Sequence, residues 1–264
     1  MDELFRKTDE AYAFFTGAEL EAAIAGIVKE SRMRFGDVSL QYASMLSELG
    51  GFYRGQRRLS ESAGCFSKAS ALLLELRGAD SPDYATSLNN LAGTYRLAGK
   101  FDEAEKLFGQ ALEIYERSTG RDSMLFASGL NNLSLICLDR GESGKALSLQ
   151  EQALGILRSL PECRDELASA LCNTAAVRLN LGNFADAAAL FSDAIAMFET
   201  ELGTDTPHYH AAFNGLGIAR LRTGDIPASV EAFERAYAAA VSLYGEKHPE
   251  SEAILSSLNY VRSL

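Results

Sequence analysis

Apolar residues recur along the chain at spacings of three and four, and the clearest run lies between Ala85 and Ala111. In ATSLNNLAGTYRLAGKFDEAEKLFGQA, Leu88, Leu91, Ala92 and Tyr95 form one stripe, and Ala104, Phe108 and Ala111 form a second. That spacing is the signature of an amphipathic helix. Gly99 separates the stripes, so the pattern predicts two helices joined by a short turn. Neither helix can bury its stripe alone, and the pair therefore needs neighbours.

The neighbours are copies of the same pair. Gly99 has counterparts at Gly141, Gly182 and Gly224, in steps of 42, 41 and 42 residues. Ala111 aligns with Ala69, Ala153, Ala194 and Ala236, and Phe108 with Phe66, Phe191 and Phe233. In the third copy this aromatic column matches weakly, at Leu149 or Gln150. Self-similarity at a fixed period dictates a stacked solenoid, in which each unit packs mainly on the next. The expected organisation is one solenoid domain, 1–264. It comprises a degenerate first pair in 1–35, five repeats in 38–244 and a capping helix in 249–264. The five repeats fall at about 38–77, 82–117, 123–159, 163–202 and 206–244, with prolines 82, 161, 207 and 249 at the turns between pairs. The predicted fold class is all-α: about six helix pairs and a cap, thirteen helices, no strand. The 38–77 pair is the least regular. Gly50 fills a slot that wants a small residue, whereas Gly51 and Gly55 each cost about 1 kcal/mol relative to Ala.

Composition narrows the function classes. The chain of 264 residues carries a net charge of −11, distributed as −1, −3 and −7 over residues 1–60, 61–160 and 161–264. That sign disfavours nucleic acid as a partner. No apolar run is long enough to span a bilayer, and MDELFRKTDE has no apolar leader, so the expected compartment is the cytoplasm. Cys65, Cys137, Cys163 and Cys172 make neither a CxxC pair nor a zinc spacing. They are expected to be reduced, partly buried thiols, with no metal and no cofactor. No nucleophile elbow, HExxH or phosphate loop occurs. His208 and His210, two residues apart, do not share a helical face. The chain is expected not to be an enzyme.

Leu88, Leu91, Ala92, Tyr95, Gly99, Ala104, Phe108 and Ala111 stand at positions that resemble the tetratricopeptide repeat. The period is longer than the usual 34, and the pairs end in YERSTG, FETELGTDTP and LYGEKHP. With SLNNLAGTYRLAGKFDEAEKLF, these features are similar to the 42-residue repeats of kinesin light chains and their bacterial relatives. The resemblance covers nearly the whole chain and implies a right-handed superhelix whose first helices line a concave groove. The long heptad segment by which kinesin light chains join their motor is not found here.

At about 100° per residue, four positions of each first helix point almost opposite its core stripe. These read Ser44, Glu48, Gly51, Gly55; Thr86, Asn90, Gly93, Leu97; Ser128, Asn132, Leu135, Asp139; Ser169, Asn173, Ala176, Asn180; and Ala211, Gly215, Ile218, Arg222. If the first helices line the groove, as the resemblance implies, this set faces a ligand. The candidate peptide-binding residues are thus Thr86, Asn90, Leu97, Ser128, Asn132, Leu135, Asp139, Ser169, Asn173, Asn180 and Arg222. An Asn amide both donates and accepts, which suits a peptide backbone, and the matching Asn is a peptide contact in tetratricopeptide proteins generally. Alternatively these side chains bond to neighbouring helices or simply face water. No Lys or Arg stands at the first two positions of any set, so the carboxylate clamp of some relatives is not expected. Arg178, Arg220 and Arg262, in a column begun by Tyr53 and Tyr95, either reach surface acids or form a basic strip for a partner. The leading functional reading is a protein–protein interaction module that holds an extended peptide or a partner's helix in the groove. The alternatives are a self-assembling structural protein, forming homo-oligomers, and a peptide-responsive regulator.

Overall fold

The computed structural model describes residues 2–264, which form two compact units, the first ending at Arg121 and the second beginning at Asp122. Among the described residues there are thirteen α-helices and no strand.

The first unit contains α1 (Asp2–Phe14), α2 (Gly17–Phe35), α3 (Leu40–Gly55), α4 (Leu59–Arg77), α5 (Pro82–Leu97) and α6 (Phe101–Thr119). The stripes that predicted α5 and α6 are their buried faces: Leu88 and Leu91 are buried, and Ala92, Ala104 and Ala111 are wholly inaccessible. Phe108 fills the space between them, a burial that stabilises the pair by about 2–3 kcal/mol. Ala92 and Ala104 let the two helices approach. In the preceding pair Gly50 holds the place of Ala92 and faces the Phe66 ring, 3.1 Å from where a Cβ would stand. The Gly50 carbonyl so exposed accepts a hydrogen bond from Ser62 Oγ at 2.8 Å. Gly51 and Gly55 face open space.

The second unit contains α7 (Met124–Asp139), α8 (Ser143–Arg158), α9 (Arg164–Asn180), α10 (Phe184–Met197), α11 (Pro207–Arg222), α12 (Ile226–Tyr244) and α13 (Pro249–Arg262), with a π-helical turn at Phe198–Leu202 extending α10. Its last pair repeats the Gly50 arrangement: Gly217 lies against Phe233, and Ser229 Oγ donates to the Gly217 carbonyl at 2.8 Å. α13 closes the unit by burying Ile254, Leu258 and Val261.

Helix ends are set by local chemistry. First helices start at N-caps Ser39, Ser81, Ser123 and Thr206, whose hydroxyls accept from a backbone N–H three residues on, satisfying a donor the helix leaves open. Pro82, Pro207 and Pro249 occupy the first turns of their helices, whereas Pro161 lies in the turn before α9. Within pairs, Gly99, Gly141, Gly182 and Gly224 take φ between 75° and 83°, a region open to glycine. Arg57 stands in the same slot of the irregular 38–77 pair, and is the one non-glycine with positive φ among the described residues, at 60°. Between pairs, Gly36, Gly78, Gly120, Gly203 and Gly245 end the second helices with φ of 84–90°, a second glycine series on the same period.

Candidate functional site

The first helices present polar, half-buried side chains on the face away from their own pair. In the first unit, α1, α3 and α5 border a cleft of about 400 Å³ whose walls include Phe5, Ser44, Glu48, Thr86 and Asn90. In the second, α7 and α9 border a cleft of about 230 Å³ lined by Ser128, Asn131, Asp165, Glu166, Ser169 and Asn173. Of the opposed face expected from helical spacing, Thr86, Asn90, Ser128, Ser169 and Asn173 line these clefts.

Several of these side chains are already engaged. Thr86 Oγ1 lies 3.0 Å from the hydroxyl of buried Tyr115, and so helps seat the second helix of its own pair. The Asn90 backbone carbonyl accepts from Thr94 Oγ1 at 3.2 Å and from Arg54 at 3.4 Å, and the residue lines the cleft. Leu97, Asn132 and Leu135 are half-buried on the same faces. Asp139 and Asn180 are exposed at the last residues of α7 and α9. Arg222 is exposed at the end of α11, its guanidinium 4.8 Å from the centre of the Phe184 ring. Gly215, from the same predicted set, does not face a ligand surface: it is buried under the Phe191 ring.

Asn173 is tied down by a network that periodicity did not reveal. Its Nδ2 donates to Asn131 Oδ1 at 2.8 Å, and the same oxygen accepts from Gln150 Nε2 at 2.9 Å. The second N–H of Gln150 goes to Ser134 Oγ, and Ser134 donates to the Asn131 carbonyl at 2.6 Å. Gln150 is completely buried and stands in the column otherwise held by Phe66, Phe108, Phe191 and Phe233. Its Oε1 has no partner. The weak match at 149–150 was the sequence signal for this network, and Asn131, one residue off the predicted face, is its hub.

The arginine column resolves toward surface acids. Arg178 pairs with Glu151 at 2.6 Å and Asp186 at 2.7 Å, Arg262 with Glu234 at 2.6 Å, and Arg220 more loosely with Asp225 at 3.8 Å. Exposed pairs of this kind contribute little stability, but they occupy the cations that a basic strip would have offered.

No group of three or more His, Cys, Asp or Glu able to hold a metal ion occurs among the described residues. Cys65, Cys163 and Cys172 carry free thiols, and burial pushes the Cys172 thiol up to about 12, which keeps it protonated and unreactive. His210 is buried, with Nε2 3.4 Å from the Tyr244 hydroxyl and Nδ1 unpartnered; burial holds its pKa below the ordinary value. No helix among the described residues is long and apolar enough to cross a membrane.

Comparison with known proteins adds to this geometry. A family profile described as Tetratricopeptide repeat matches residues 41–117 and 125–200, and a second of the same description matches 173–242. No curated protein matches the sequence. Among solved structures, BtubC (BKLC) from P. vanneervenii is similar over 93% of this chain and 94% of its own, with a TM-score of 0.65 at 18% identity. The nearly identical TPR-like repeats of a kinesin light chain-like protein from Podosopora anserina match 75% of this chain and 95% of theirs, with a TM-score of 0.59 at 19% identity. Yeast Tom70 matches 98% of this chain, which spans 47% of that protein, with a TM-score of 0.67 at 17% identity. At these identities the likeness concerns the fold.

Proposed function

Since the chain belongs to the tetratricopeptide repeat family, whose members are in general non-enzymatic scaffolds that bind proteins or peptides, we propose that it is an adaptor that holds an extended segment of a partner protein against its first helices. The observation that carries this reading is the pair of clefts. Both bring half-buried hydroxyls and amides of first helices to an open wall, Ser44, Thr86 and Asn90 in one and Ser128, Ser169 and Asn173 in the other, beside apolar and acidic side chains. Such groups offer donors and acceptors to a peptide backbone whatever its sequence. Asn90, Asn132 and Asn173 are the proposed backbone contacts, with Thr86, Ser128 and Ser169 beside them and Leu97, Leu135, Asp139, Asn180 and Arg222 further along the same faces.

The test is a partner captured from lysate and then titrated against single variants. Asn90→Ala should weaken binding about fivefold, one net hydrogen bond, and change stability by less than about 0.5 kcal/mol. Asn173→Ala should also weaken binding, but with about 1 kcal/mol of stability lost through the bond to Asn131. Normal binding by both variants, once folded, would refute the assignment to this face.

Self-assembly keeps an observation of its own. Phe14 and Met33 in the first pair, and Tyr260 and Leu264 at the C-terminal end, expose 80%, 78%, 59% and 66% of their surface. Apolar surface there fits contact between copies. Light scattering over a concentration series decides: a constant monomer mass would remove this reading.

A further inference from the structure

We propose that the cleft of the first unit is a receptor for one basic side chain, an arginine or lysine, of the partner segment. This deepens the adaptor reading and rests on it. Glu48 stands on α3 at the place that Asn90 holds on α5, and its carboxylate is half-buried in the cleft wall. No cation among the described residues pairs with it. Burial, with Asp9 as a second negative neighbour, pushes its carboxyl above the ordinary range. A desolvated anion without a counter-ion is costly in the free protein. An incoming cation relieves that cost, so complementarity favours it specifically.

The remaining walls fit the rest of such a side chain. Phe5, Leu40 and Leu73 give an apolar flank for the methylene stem, the part that basic residues lay along apolar surface. Ser44 and Asn90 add neutral oxygens that can accept from a guanidinium or ammonium. The one basic residue of the walls, Arg77, is bound to Asp83 at 3.2 Å and is not free to attract an acid. The lining therefore selects a positive, not a negative, group.

The experiment uses the full chain, isotope-labelled, and two probes: Ac-Gly-Ser-Arg-Ser-Gly-NH2 and the same peptide with neutral citrulline for arginine. Amide signals of Ser44, Glu48, Thr86 and Asn90 report the cleft. The arginine peptide should bind about fivefold or more tightly than the citrulline peptide. Glu48→Gln should abolish that ratio, while Glu231→Gln, a loss of the same charge at an exposed position of α12, should keep it. Should Glu48→Gln fail to fold, the ratio in the unaltered chain still decides. Equal affinity for both peptides at the cleft would overturn the preference and leave peptide binding intact. A ratio preserved in Glu48→Gln would show general attraction to an acidic protein and overturn the proposal. If neither peptide moved the cleft signals, the proposal would fail; the adaptor reading would fail with it only if Asn90→Ala also left the captured partner's affinity unchanged.

Discussion

Gly215→Ala tests the packing logic of the repeats at its tightest point. Elsewhere in a helix interior, this exchange stabilises by about 0.5–1 kcal/mol, since alanine loses less backbone freedom than glycine on folding. Gly155 is such a place, for a Cβ there meets nothing within 4 Å. At Gly215 the added Cβ would stand 2.6 and 2.7 Å from Phe191 Cε2 and Cε1, and nearer still to Cζ. Carbon atoms pack at about 3.5–4.0 Å, so the ring or α11 must move by about an ångström. Phe191 is 4% exposed, and dense surroundings resist that movement. Overpacking of this kind costs about 1–3 kcal/mol. Net of the helix gain, Gly215→Ala should lose about 1–2 kcal/mol while Gly155→Ala gains up to 1. Urea unfolding followed by circular dichroism measures both, and unchanged slopes would show that the native state is what has altered. Adding Phe191→Leu should recover part of the loss, the coupling expected of touching residues. Gly215→Ala as stable as Gly155→Ala, or no coupling to Phe191, would refute the reasoning.

Two further outcomes follow from single residues. Arg57→Gly should stabilise by about 1 kcal/mol, since φ of 60° is strained for arginine and free for glycine; the same urea titration reads it. Because burial lowers the pKa of His210 in the fold, the unfolded chain binds the proton more readily. Stability should therefore be complete above about pH 6.5 and decline as pH falls below it, and melting curves of His210→Phe should lack that part of the decline.

The succession of helix pairs was legible because it depends on spacing alone. Leu88, Phe108 and Ala111 are buried in any packing that covers their stripes, and Gly99 and its counterparts had to turn. Details that depend on what the adjacent helix brings were not legible. Gly215 shares its helical angle with Asn90, yet Phe191 of α10 covers it. Asn131 lies one residue off the predicted face, and the Gln150 amide draws it in. Glu48 was read as one polar position among several, since its desolvation arises from the walls of a cleft contributed by α1 and α5.

The glutamine in the aromatic column sets a limit on modularity. A pair whose phenylalanine meets a small residue of its own first helix, as Phe66 meets Gly50 and Phe233 meets Gly217, carries its own packing partner, so it could be duplicated, deleted or moved along such an array with little loss. The pair of α7 and α8 is different. Both N–H groups of its Gln150 amide are taken by Asn131 and Ser134, and Asn131 in turn reaches across to Asn173 on the next first helix. Transplanted before another pair, it would lose that link; if Ser134 and Asn131 were left behind, a wholly buried amide would have no partner at all. This pair can be inherited or engineered only together with the helix that follows it.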